Sequence, residues 1–73
     1  MSASVKKRSV VVAGHPTSVS LEEAFWDALK RLADEEGVSV NALIARIDGS
    51  RSGNLSSALR VYVLDVLRER AGW

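Results

Sequence analysis

The residues in this 73-residue chain that could do chemistry are few. There is one histidine, His15, and no cysteine, so a thiolate metal site, a disulfide and a multi-histidine metal centre are all excluded. A general base needs an orienting carboxylate and a nucleophile beside it. No acid precedes Glu22, and the sequence brings no such trio together. His15 therefore reads first as a turn residue and second as a contact to a polyanion. Enzyme chemistry, cofactors and metals are not expected. What remains is polar and basic chemistry of recognition: Lys6, Lys7 and Arg8 in a row, two alternating serines at Ser18 and Ser20, and a Ser39-Val40-Asn41 helix start.

Charge is distributed unevenly behind a net of +1. Residues 1–20 carry three bases and no acid, residues 21–50 seven acids against three bases, and residues 51–73 four bases against two acids. A basic end directly before an extended segment is the footprint of a protein that meets a polyanion, while a merely solvating terminus is the bland alternative.

These residues need positioning. Thr17-Ser18-Val19-Ser20-Leu21 alternates with period two, which predicts a strand with Val19 and Leu21 on its dry face and Ser18 and Ser20 on its wet face. Such a strand leaves backbone groups open on both edges. Its partner is either an upstream segment or its own copy in a second chain. Val10 to Ala13 favours extended structure, and Gly14-His15-Pro16 reads as a bend or bulge. A hairpin between residues 9–13 and 17–21 is the secondary reading, because the connection lacks the Asn-Gly or Asp-Gly signal of tight hairpins. Residues 1–7 read as a flexible basic arm ahead of a domain at 8–71.

Three helices follow. Glu22 to Glu36 begins with a Ser20–Glu23 capping-box pattern, shows a Phe25, Ala28, Leu29, Leu32 stripe, places Trp26 at the core edge and ends at Gly37. Ser39 caps a short second helix with the stripe Val40, Leu43, Ile44, Ile47, stopped at Asp48-Gly49. Its N-terminus is a ready anion site. Asn54 or Ser56 caps a third helix to about Arg70. The apolar stripe of that helix is wide enough to need contacts on two sides, which suggests burial at the centre of a dimer. A 73-residue chain is marginal as a monomer, so oligomerisation is favoured. No apolar run approaches the length needed to span a bilayer, and a cytoplasmic location is expected.

The combination of Gly14-His15-Pro16-Thr17-Ser18-Val19-Ser20-Leu21-Glu22, the Phe25-Trp26 pair and Asn54-Leu55-Ser56-Ser57-Ala58-Leu59-Arg60 resembles the ribbon-helix-helix family. Within it, the chain is similar to a small proteobacterial subgroup over about residues 8–68. The resemblance implies a mostly α fold with one short strand per chain, a third helix, and an intertwined homodimer with an intermolecular two-stranded antiparallel ribbon. It implies a cytoplasmic, nucleoid-associated DNA-binding transcriptional regulator, a repressor whose partner is double-stranded DNA, with no membrane and no cofactor. An antitoxin-like or protein-interaction scaffold is the alternative. Carried onto this chain, base contacts fall to Ser18, Ser20 and His15. Phosphate contacts fall to Lys6, Lys7, Arg8, Ser39, Val40 and Asn41. The dimer core would comprise Val19, Leu21, Phe25, Leu29, Leu43, Ile44, Ile47, Leu59, Tyr62 and Val63. The two serines are short and can both donate and accept, so they discriminate bases poorly.

Overall fold

The computed structural model describes residues 4–50 and 53–73. Its elements, in order, are β1 (Val5–Val12), β2 (His15–Glu22), α1 (Glu23–Glu36), α2 (Val40–Ser50) and α3 (Leu55–Ala71). β1 and β2 form a two-stranded antiparallel sheet in which Arg8 faces Val19, Ser9 faces Ser18 and Val12 faces His15. The predicted strand therefore has a partner inside its own chain. The hairpin, the secondary reading from sequence, is present and longer than expected.

The expectation failed at the turn. Val12 and His15 close a connection of two residues, Ala13 and Gly14, so His15 and Pro16 belong to the strand and form no bulge. Both turn residues have positive φ, 52° for Ala13 and 82° for Gly14. That is the φ pattern of a type I′ turn, whose twist matches the strands it joins. Glycine adopts it freely. Alanine does so at a cost of about 1–2 kcal/mol, which is why Ala-Gly gives no clear signal in sequence. The flexible arm expected at residues 1–7 overlaps the first strand: Lys6 and Lys7 lie in β1. Its first residues, Met1 to Ala3, fall outside the described residues.

The helices begin and end as their residues dictate, with two exceptions. Ser20 remains in the strand, Glu22 occupies the N-cap of α1 without a side-chain cap bond, and the expected Ser20–Glu23 capping box does not form. Gly37 ends α1 in the left-handed conformation at φ 73°. Val38 N–H then donates back to the Ala33 carbonyl at 3.0 Å. In α2, Ser39 Oγ accepts from Ala42 N–H at 3.0 Å, and the helix runs through Gly49 to Ser50 rather than stopping at Asp48. Asn54 caps α3, its Oδ1 accepting from Ser57 N–H at 2.7 Å.

One core joins all five elements: Val10, Val12, Val19 and Leu21 from the hairpin, Leu29, Leu32 and Ala33 from α1, Leu43, Ile44 and Ile47 from α2, and Leu55, Leu59 and Val63 from α3. All ten residues expected in a dimer core lie in this one or, for Phe25 and Tyr62, against it. Seven of them are already sealed at 0–2 % exposure within a single chain. α3 uses only one side for this. Val61, Leu64 and Leu67, on its other side, are 52 %, 47 % and 48 % exposed.

Polar contacts lock the helices around that core. Arg46 grips Glu36 through two nitrogens, at 2.8 and 2.9 Å, and the Tyr62 hydroxyl donates to the same carboxylate at 3.1 Å. The cluster ties α1, α2 and α3 at one point. Arg70 reaches Glu35 at 2.6 Å, a second tie between α3 and α1.

Candidate nucleic-acid interface

Strand alternation sorts the hairpin into two faces. The face toward the helices carries Lys6, Arg8, Val10 and Val12 from β1, opposite Leu21, Val19, Thr17 and His15 from β2. The four central apolar residues are buried, whereas Thr17 and His15 project past the core and are exposed. The other face carries Val5, Lys7, Ser9 and Val11 opposite Glu22, Ser20, Ser18 and Pro16. All of these except half-buried Ser20 and Glu22 are exposed. No acid lies between residue 4 and residue 21.

The outer edge of β2 is already occupied at its end by α3. Ser20 N–H donates to Ser56 Oγ at 3.0 Å, and Arg60 donates to the Ser20 carbonyl at 3.0 Å. Both backbone groups of Ser20 thus point away from β1, so Ser20 and Lys7 form a non-hydrogen-bonded pair. By alternation, Pro16 also faces this edge, where its missing N–H is harmless. Arg60 further pairs with Glu22 at 3.0 Å. The carboxylate of Glu22 is held below the usual range by its own backbone amide, then by Arg60. Nothing in the sequence separates Arg60 from other helix arginines. Its role depends on a contact made across 40 positions of chain, to Ser20.

The candidate residues do not all converge. Ser18 stands on the wet face with Lys7 and Ser9. Ser20 shares that face, with its backbone committed to α3. His15 has the opposite parity and stands at the turn end of the helix-side face, apart from the serines. Of the three bases, only Lys7 joins the serines. Arg8 points toward the helices, lies 4.7 Å from the centre of the Trp26 ring and pairs with Glu23 at 2.6 Å. Lys6 lies 3.8 Å from the same carboxylate. This explains Glu23: it balances the strand's inner bases instead of capping its helix. Ser39, Val40 and Asn41 stand at the α1–α2 turn, where the amides of Val40 and Asn41 have no carbonyl within the helix to receive them. Sequence reasoning missed Ser9 and Val11 as members of the wet face. Period-two alternation over Lys7, Ser9 and Val11 carried that signal, once β1 is taken as a strand.

A two-stranded ribbon with one dry face on two helices joined by a tight turn defines a class of fold, and comparison with known proteins agrees. The model of the ribbon-helix-helix domain matches residues 5–67, and the chain belongs to that family. Members of this family generally bind DNA, typically as dimers, as transcription regulators or antitoxins. Among solved structures, the chain is similar to an uncharacterized protein from Bordetella pertussis Tohama I, with 36 % identity and a TM-score of 0.81 over 97 % of this chain. The chain spans 62 % of that protein's length. No curated protein matches. No helix among the described residues is long and apolar enough to cross a membrane.

Proposed function

We propose that the protein is a DNA-binding transcriptional regulator of the cytoplasm, acting as a homodimer, with its β-ribbon in the major groove and the α2 N-terminus on a backbone phosphate. The observation that carries this reading is the exposed wet face of the ribbon, where Lys7 stands beside Ser9 and Ser18 and the acid at its end, Glu22, is paired with Arg60, in a chain of the ribbon-helix-helix family. A two-stranded ribbon fits a groove about 12 Å wide. Lys7, and beyond it Lys6 and Arg8, supply positive charge along one strand. The free amides at Val40 and Asn41 add a partial positive charge of the kind that holds phosphate. The Ser39 hydroxyl is committed to Ala42, so Ser39 orders that helix start more than it contacts DNA.

Fluorescence anisotropy on random-sequence duplex DNA at several salt concentrations tests the proposal. The expected result is a linear fall of log affinity with log salt. No retention of duplex at low salt would overturn it. The half-exposed Val61, Leu64 and Leu67 row favours one second reading, an antitoxin-like scaffold that binds a protein partner along α3. Copurification of a protein partner, together with absent DNA binding, would favour that reading.

A further inference from the structure

We infer that Arg60 of α3, assisted by Ser56, is a positioning residue for DNA recognition: it fixes the end of β2 by its backbone and so sets where the Ser18 and Ser20 hydroxyls stand in the groove. The inference rests on the DNA-binding reading above and deepens it by naming what aims the reading strand.

Ser56 and Arg60 are four residues apart, so they share one face of α3. Both reach the same residue of β2. Ser56 Oγ accepts from the Ser20 N–H at 3.0 Å, and an Arg60 terminal nitrogen donates to the Ser20 carbonyl at 3.0 Å. The Arg60 Nε donates at the same time to Glu22 Oε1 at 3.0 Å. Glu22 is the N-cap of α1, so one guanidinium ties α3 to the last residues of β2 and to the start of α1. The clamp stands on a fixed base. Asn54 caps the first turn of α3, and Leu55 and Leu59 root that part of the helix in the core. The clamp grips β2 by its own last residues, so it acts in the same way on a ribbon that takes one strand from each protomer.

The chemistry of the strand explains why such a clamp matters. A serine has one rotatable side-chain bond before its hydroxyl, so the hydroxyl goes where the backbone goes. A long arginine or glutamine can correct for a displaced strand through its own torsions, and a serine cannot. Short readers discriminate bases only from a backbone held to within about 0.5 Å. Ser20 carries both roles: its backbone is gripped by α3 and its side chain shares the wet face with Ser18. Arg60 suits the task because a planar fork donates in two fixed directions at once, which a lysine cannot do. With these donors committed inside the protein and its side chain only 32 % exposed, Arg60 is placed to hold the strand, not to meet a phosphate.

The test begins with a duplex selected by the wild-type protein from a randomised library. Affinities for that duplex and for random-sequence duplex are then measured across salt for wild type, Arg60→Met, Arg60→Lys and Ser56→Ala. Arg68→Met serves as a control that removes an α3 charge away from the clamp. Arg60→Met should lower the ratio of selected to random affinity by about three- to tenfold, the contribution of one neutral hydrogen bond. Its salt slope should match that of Arg68→Met. Arg60→Lys should recover part of the ratio, and Ser56→Ala should lower it less than Arg60→Met. Arg68→Met should keep the wild-type ratio. All measurements are made well below each variant's melting temperature, since a partly unfolded protein loses affinity for both duplexes alike and keeps the ratio. Should Arg60→Met fail to fold, Ser56→Ala, which removes a single hydroxyl, decides the matter by the same ratio. An unchanged ratio in the folded clamp variants would overturn the inference. So would an equal loss on every sequence with a salt slope smaller by about one, because that is the behaviour of a phosphate contact. Absence of any duplex binding by the wild type would instead overturn the DNA-binding reading itself.

Discussion

Ala13 and Glu36 show how single residues set the stability of this chain. Ala13 holds a φ of 52° where a type I′ turn wants asparagine, aspartate or glycine. Ala13→Asn should stabilise the fold by about 0.5–1 kcal/mol. A thermal melt should show this as a rise of several degrees, at about 4–8 °C per kcal/mol for a domain of this size. Glu36 titrates below the usual carboxylate range, first because Arg46 donates to it and further because Tyr62 does. Glu35 is lowered first by its hydrogen bond from Arg70, then by Arg31, against the opposing pull of desolvation. Depressed carboxylates contribute stability above their unfolded value near 4.5 and lose it as pH falls through the lower folded value. Thermal stability should therefore be flat with respect to these groups above about pH 5.5 and decline below about pH 4.5. Glu36→Gln should flatten part of that decline in melts across the acid range. These carboxylates are solvent-exposed, so added salt should shrink the effect.

At the scale of elements, α3 decides whether the hairpin is a fixed platform. Leu59 is fully buried between the sheet and the other helices. Leu59→Ala should cost about 2–5 kcal/mol. That is a large part of the roughly 4–11 kcal/mol expected for a chain of this length, and urea titration should show a sharply lower midpoint. Ser56→Ala is the subtler test. It leaves the half-buried Ser20 N–H without its acceptor, at a cost of about 1 kcal/mol. The Ser20 amide should then exchange with solvent faster than its neighbours in native-state hydrogen exchange, without global unfolding. The sequence made α1, α2 and α3 legible, including the caps at Gly37, Ser39 and Asn54, because their signals are local. It misread the start of α1, where Ser20 and Glu23 fit a capping box. Each had a stronger partner elsewhere: α3 for the Ser20 backbone, Arg8 for Glu23.

Across the whole molecule, the remaining exposed apolar surface is unevenly placed. Val61, Leu64 and Leu67 form one row on α3, while the core is already closed by a single chain. The width of the α3 stripe was the sequence argument for a dimer centre. In the structure, one half of that stripe completes the chain's own core and the other half stays open. If the row is the self-association surface of the proposed homodimer, Leu64→Glu should halve the mass measured by light scattering and leave the melt of the folded chain little changed. A variant that keeps the wild-type mass would remove α3 from the interface.

The wet and dry faces of residues 17–21 were determined by the sequence alone, because period-two alternation needs no knowledge of the partner. So were the three helices, whose apolar spacing and caps act within a few residues. The partner of the strand was not. A turn built on Ala13 carries no strong local signal, and β1 earns its place only by adding Val10 and Val12 to a core assembled from all three helices. Tertiary structure also separated three adjacent bases into different roles. Lys7 joined the serines, while Lys6 and Arg8 turned toward Glu23 and Trp26. That separation needed the register of β1 against β2, which is settled by which valines the core can bury.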